Sequence, residues 1–146
     1  MASSPRDLDQ AFAKYAKHCD ENEYVQIGEC YLEGVAVEQN TERALSYLKE
    51  AAKRKVPRAM ALLGEIYLFG HYVEKDLEQA IDLLHFAAKY EDRRALILLS
   101  RCYQLGLGSE QDEEASDSFY DRFQDAGYDS LMLSENLFDY IALHFL

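Results

Sequence analysis

A chain of 146 residues with 49% hydrophobic and 29% charged residues has the composition of one folded, soluble domain. Its formal net charge of −12 argues against nucleic acid and anionic membrane surfaces as partners, because both present phosphate. The charge instead favours a partner protein with a basic surface, the alternative being that it serves only solubility. No apolar run reaches the roughly 20 residues that span a bilayer. The first residues lack the apolar stretch of a secretory signal, so we expect a cytoplasmic protein.

The first predicted element is a helix over residues 6–20. Its apolar residues recur at the three- and four-residue spacing of one helix face, and they are Leu8, Ala11, Phe12, Tyr15 and Ala16. They also match, 36 positions earlier, the second helix of the repeat described below. The chain is therefore predicted to open on half a repeat, which covers the end of a stack.

A 36-residue repeat organises the chain after residue 20. Four residue series keep this period: Gly28, Gly64 and Ser100; Tyr31, Tyr67 and Tyr103; Gly34, Gly70 and Gly106; Asn40, Asp76 and Asp112. Agreement of small, aromatic and cap-forming residues in one frame is a strong repeat signal. The predicted copies are residues 23–58, 59–94 and 95–130.

Each copy is predicted to be a hairpin of two helices. In the central copy the first helix ends at Gly70, since glycine adopts the left-handed backbone that closes a helix at little cost. Asp76 is expected to cap the second helix, with Gln79 three residues later. A single hairpin of this size cannot cover its own apolar face, so the predicted fold is an all-α solenoid of stacked hairpins.

The last segment, residues 131–146, is predicted to be a C-terminal capping helix. It has more apolar residues than one narrow stripe needs, and a capping helix usually presents a polar outer face. One interpretation is an exposed interface for a partner or a second copy of the chain, formed by Phe138, Ile141 and Phe145. The other is a terminal helix that folds back into the core.

The pattern resembles the Sel-one-like repeat, a relative of the tetratricopeptide repeat. The central copy carries the resemblance through Ala59, Leu63, Gly64, Tyr67, Gly70, Val73, Asp76, Ala80, Ala87, Ala88 and Ala95. The third copy departs from it, because Ser100 replaces the glycine and Ser116 and Gln124 replace alanines. Gly127 stands where the family usually has glycine, whereas the first two copies have Lys55 and Glu91.

The resemblance implies a right-handed superhelical stack that binds another protein as an adaptor, a chaperone or a regulator. In such stacks the first helices of the hairpins line a concave groove. The repeat register assigns to this groove Val25, Glu29, Leu32, Glu33, Arg58, Ala61, Glu65, Leu68, Phe69, Arg94, Ile97, Arg101, Gln104 and Leu105. Leu68, Phe69 and Leu105 are expected to form an apolar centre, flanked by charges that orient the ligand.

Two more specific functions stay open at this stage. One is an immunity protein that neutralises a toxin or effector by covering its basic surface. The other is an enzyme accessory protein with a small-molecule pocket in the groove.

No residue pattern predicts catalysis, a metal site or a cofactor. The four histidines show no metal-type spacing among themselves or with the cysteines, and no serine has the context of a nucleophile. Cys30 and Cys102 share a register two copies apart, about 20 Å or more in a stack, so no disulfide is expected between them. We therefore predict a protein that is not an enzyme and whose thiols stay reduced.

Overall fold

The computed structural model describes residues 21–34 and 37–126. This part of the chain contains helices and no strands. The helices are α1 (Glu21–Glu33), α2 (Thr41–Lys53), α3 (Pro57–Phe69), α4 (Leu77–Lys89), α5 (Arg93–Leu105) and α6 (Glu113–Asp125). They form three hairpins, α1 with α2, α3 with α4, and α5 with α6. The predicted helices at 6–20 and 131–146 lie outside the described residues.

The loop inside each hairpin is closed in the same way in all three copies. Gly70 and Gly106 follow α3 and α5 with φ of 69°, the left-handed conformation that the sequence predicts. The backbone N–H of Asp76 then donates to the carbonyl of Tyr67 at 3.0 Å. Asp112 repeats this bond with the carbonyl of Tyr103 at 2.9 Å. The loop is thus tied to the last turns of the first helix before the second begins.

The predicted caps of the second helices are confirmed. The side chains of Asn40, Asp76 and Asp112 accept hydrogen bonds from the backbone N–H three residues later, at 3.1, 3.1 and 3.0 Å. Such caps stabilise a helix by about 1 kcal/mol each. Asp92 caps α5 in the same manner, at 3.0 Å from Ala95 N, and the sequence reading missed it.

The two helices of a hairpin approach closely where the first helix carries glycine. A Cβ added at Gly64 would lie 2.8 Å from Leu84 Cγ, and one at Gly28 would lie 2.9 Å from Leu48 Cγ. Both leucines are fully buried. The absence of a side chain on the glycine therefore lets the second helix place a large residue over it.

The third copy replaces this glycine with Ser100 and compensates for the change. Ser100 Oγ donates to the carbonyl of Ser116 at 2.9 Å and lies 3.2 Å from Ser116 Oγ. At the position of Leu48 and Leu84 this copy has Tyr120, which is exposed. A buried hydroxyl pair thus replaces a leucine packed on glycine, so the departure from the repeat pattern preserves the contact between α5 and α6.

The core runs from one hairpin into the next. One apolar cluster joins Val25 of α1 and Leu48 of α2 to Leu63 of α3, and another joins α3 and α4 to α5 and to Phe123 of α6. The first helices of successive hairpins also contact each other, α1 with α3 and α3 with α5. Stacking is therefore what buries the apolar faces, as a helical-hairpin solenoid requires.

Lys55 and Glu91 lie in the middle of the three-residue connections between hairpins, with φ of 61° and 57°. These are left-handed values that cost a side chain with a Cβ about 1 kcal/mol or more. They occur at the two positions where the repeat family usually has glycine. The backbone geometry of the repeat is therefore kept even where its preferred residue is absent.

Replacing Gly64 by Ala is expected to lower the free energy of unfolding by about 1–3 kcal/mol, because the new Cβ would collide with Leu84. Ser100→Ala is the control, since that site already has a Cβ and loses only its hydrogen bonds, a cost of about 1 kcal/mol. Urea denaturation measures both. A Gly64→Ala variant as stable as the parent would show that the close approach is unimportant.

Lys55→Gly is expected to stabilise the chain by up to about 1 kcal/mol, because glycine adopts the observed φ without strain. Lys55→Ala removes the same charge and keeps the Cβ, so it should give no such gain. The difference between the two variants in thermal unfolding isolates the backbone effect. Equal melting temperatures would contradict it.

Candidate functional site

The predicted groove face lies on α1, α3 and α5, whose mutual contacts bring its residues side by side. Its charged residues pair with each other across neighbouring helices. Arg58 Nη2 lies 2.9 and 2.8 Å from the two carboxylate oxygens of Glu29, and Arg94 Nη1 lies 3.1 Å from Glu65 Oε2. Both bridges join a carboxylate on the first helix of one hairpin to an arginine in the first turn of the next hairpin. We call these two bridges the ion-pair ladder.

The ion-pair ladder is partly shielded from water. In its second pair, 27% of the Arg94 side chain and 21% of the Glu65 side chain are exposed. Pairs of this kind contribute on the order of 1 kcal/mol or less, whereas burying one leucine contributes about 1.5–3 kcal/mol. The ladder therefore fixes how the first helices align, and apolar packing supplies most of the stability. These four charges are already satisfied within the chain.

Asp92 joins the two pairs of the ladder electrostatically. Burial raises the pKa of its carboxyl above the usual range, while its hydrogen bond from Ala95 N–H and the nearby Arg94 and Arg58 act in the opposite direction. Burial also raises the pKa of Glu65, and this effect outweighs the attraction of Arg94, with Asp92 adding to the rise. Desolvation is thus the main electrostatic cost in this part of the groove.

The structure corrects the predicted apolar centre of the groove. Leu68 is only 2% exposed and belongs to the core, so it cannot contact a ligand on the groove surface. Val25, Ala61 and Ile97 are buried as well. These three occupy one register position and are apolar in every copy, which is the pattern of a core position. That invariance within the chain was the signal that could have excluded them.

The groove residues that reach the surface lie near the ends of the first helices. Leu105 is 36% exposed, and Glu33 and Gln104 are exposed. Phe69 is partly buried, with its ring 6.0 Å from that of His71. Glu33, Phe69 and Leu105 occupy equivalent positions in the three copies. They form a row across the stack, separate from the ion-pair ladder.

Arg101 occupies the register position of Glu29 and Glu65, so the third copy reverses the charge found in the first two. It is partly buried, and its Nη1 donates to Gln104 Oε1 at 2.6 Å. Its Nε is buried and has no acceptor among residues 21–34 and 37–126. Arg101 is therefore a groove cation that the ladder does not neutralise.

Among the described residues, the densest group of exposed carboxylates lies away from the groove, on the outer face of α6 and the loop before it. We call this surface the α6 acidic face, and all of its carboxylates are exposed: Asp112, Glu113, Glu114, Asp117, Asp121 and Asp125. The exposed Tyr120 stands among them. This face is not among the contact surfaces predicted from the sequence. Its signal was the recurrence of carboxylates along one side of a helix.

Several expectations concern groups outside the groove. Cys30 and Cys102 are free thiols, and burial raises the pKa of Cys102 to about 12, which makes it an unreactive packing residue. Within the described residues, no group of side chains is arranged to hold a metal ion. None of the described helices is long and apolar enough to cross a membrane. Phe138, Ile141 and Phe145 lie outside the described residues.

The stacked hairpins, their shared loop closures and the groove face define a helical-hairpin solenoid. The model of the Sel1 repeat matches residues 24–56, 57–89 and 93–116. The chain belongs to the Sel1 repeat family. Repeats of this family are generally protein-interaction modules.

Solved structures share this architecture. A Sel1 repeat protein from Oxalobacter formigenes is 30% identical with a TM-score of 0.71, and the match covers 86% of this chain and 93% of that one. Helicobacter pylori cysteine rich protein B is 23% identical with a TM-score of 0.67, covering 88% and 95%. A protective antigen of uropathogenic Escherichia coli with an SLR fold is 23% identical with a TM-score of 0.74, covering 80% of this chain and 25% of that one. The last two show the fold alone. No curated protein matches the chain.

The partly buried ion-pair ladder should make stability depend on pH through Glu65. Because its pKa is raised in the folded chain, the folded state binds the proton more tightly than the unfolded state. The free energy of unfolding of the parent, relative to Glu65→Gln, should therefore fall as pH rises from about 4.5 through the raised value.

Urea denaturation between pH 4 and 8 tests this dependence. Glu50→Gln is the control, since it removes the carboxylate of an exposed pair with Arg54 on α2. A difference between parent and Glu65→Gln that stays constant or grows with pH would contradict the assignment.

Proposed function

We propose that this protein is a non-enzymatic interaction module that binds a partner protein with a basic surface. The observation that supports this is the position of the acidic surplus. The groove carboxylates Glu29 and Glu65 are paired with arginines, whereas the carboxylates of the α6 acidic face are exposed to solvent. Among the described residues, the α6 acidic face is therefore the densest source of long-range attraction, and it favours a positively charged partner.

In this proposal the groove supplies the short-range contacts. The row formed by Glu33, Phe69 and Leu105, with the neighbouring Leu32 and Gln104, offers apolar area bordered by polar groups. Such a combination suits a segment of a partner chain, in which an apolar side chain provides the anchor and polar groups provide orientation. The ion-pair ladder of Glu29, Arg58, Glu65 and Arg94 aligns the first helices and so positions this row.

Binding would act by occlusion, because a solenoid that covers a basic surface blocks whatever that surface contacts. This mechanism suits an adaptor, a chaperone or a regulator, and it also suits an immunity protein that covers a toxin. The free thiols of Cys30 and Cys102 fit a reducing compartment such as the cytoplasm. The specific role follows from the identity of the partner.

The test starts with a pull-down from the source organism's lysate with the full chain, followed by kinetic measurements on each recovered protein at two salt concentrations. Asp117→Lys with Asp121→Lys should slow association on the order of tenfold and weaken its salt dependence, because these residues provide the steering charge. Leu105→Gln should instead accelerate dissociation and leave the salt dependence unchanged.

Glu38→Lys with Glu74→Lys is the matched control, since it makes the same change in net charge at two exposed loop positions. If the control pair and the α6 pair have equal effects on association, only net charge matters and the α6 acidic face is not the contact surface. If Leu105→Gln leaves dissociation unchanged, the groove is not the anchoring site.

A further inference from the structure

The ion-pair ladder follows a rule that the third copy breaks. In the first two hairpins a carboxylate on the first helix pairs with an arginine in the first turn of the next hairpin, as in Glu29 with Arg58 and Glu65 with Arg94. The third copy has Arg101 in place of the carboxylate, and the residue at the arginine position is Ser130. The sign of the charge is reversed, and its sequence counterpart is neutral.

The surroundings of Arg101 leave its guanidinium incompletely bonded. Gln104 accepts one hydrogen bond from Nη1 at 2.6 Å, and it is a neutral acceptor. The buried Nε has no acceptor within the part of the chain that the structure describes. A carboxylate is the group that best satisfies a guanidinium, because it accepts two parallel hydrogen bonds and neutralises the charge.

A ligand bound at Arg101 would also lie near two other residues of α5. Arg94 lies two turns earlier on the same side of the helix, but its charge is taken up by Glu65. Leu105 lies one turn later and is 36% exposed. A ligand at Arg101 would thus find one available cation beside one apolar side chain.

We propose that Arg101 binds a side-chain carboxylate of the partner segment, with an apolar residue of that segment packed on Leu105. This rests on the proposed function, since it assigns a contact within the same groove. It adds that the partner, though basic overall, places a glutamate or aspartate at the third copy. The exposed Glu33 at the other end of the row repels such a group, so the pair sets the direction of the bound segment.

The experiment uses the full chain labelled with ¹⁵N and follows the Nε–Hε signals of its arginines. The probes are two dipeptides, leucine–glutamate and leucine–glutamine, each acetylated at its N-terminus and amidated at its C-terminus. They have nearly the same shape, but the first has a side-chain carboxylate where the second has a carboxamide. We expect a saturable shift of the Arg101 signal with the glutamate peptide and about tenfold weaker binding of the glutamine peptide. Arg58 and Arg94 serve as internal references, because their guanidiniums are already paired.

Two variants separate binding from folding. Arg101→Gln removes the charge, and Arg101→Glu restores the residue type of the first two copies; thermal unfolding shows that each is folded. Both should lose the preference for the glutamate peptide, and Arg101→Glu should bind it more weakly than Arg101→Gln. Retained preference in either folded variant would overturn the proposal.

Three further results would also overturn it: equal binding of the two peptides, shifts at Arg58 and Arg94 as large as those at Arg101, or no shift with either peptide up to about 10 mM, the range of very weak binding. A shift of the Arg101 signal with sulfate as strong as that with the glutamate peptide would show simple anion attraction and would also count against a specific carboxylate contact. None of these outcomes depends on the α6 acidic face. The wider proposal of a basic partner is tested separately, by the association rate of the Asp117→Lys and Asp121→Lys variant.

Discussion

The close approach of two helices at a glycine is the constraint on which the rest of this structure depends. Where Gly28 and Gly64 lack a side chain, Leu48 and Leu84 of the second helix fill the space. This contact sets the distance and rotation within the first two hairpins, and the hydrogen bonds between Ser100 and Ser116 replace it in the third. Because apolar burial contributes more to stability than the ion pairs do, this contact determines the geometry of the hairpin more strongly than any charge does.

Once the hairpins are stacked, their first helices lie side by side and most groove charges face an opposite charge. The ion-pair ladder consequently contributes to the alignment of the copies, and its charges are not available for long-range attraction of a partner. Among the described residues, the third copy has the densest group of exposed carboxylates, the α6 acidic face, and a groove cation outside the ladder, Arg101. The copy that departs most from the repeat pattern is therefore the one with the most distinctive surface.

The fold was readable from the chain because each of its determinants is local and occurs in more than one copy. Helix caps, left-handed glycines and the apolar spacing of each helix depend on residues within a few positions of each other. Because these local signals recur every 36 residues, together they identify a solenoid of stacked helical hairpins. Asp92 was missed because its cap falls in a three-residue connection, where no matching residue occurs in the other copy.

The groove was only partly readable, for a physical reason. The repeat register predicted which residues share a face, and it correctly placed Glu29 and Arg58 on neighbouring helices. It did not tell how deeply that face is covered, so Leu68 was expected at the surface and is instead in the core. Pairing and burial depend on the distance between helices that are about 30 residues apart in the chain, and that distance is set by packing across copies. Local sequence thus determined which elements form, whereas tertiary packing decided which of their residues remain available to a partner.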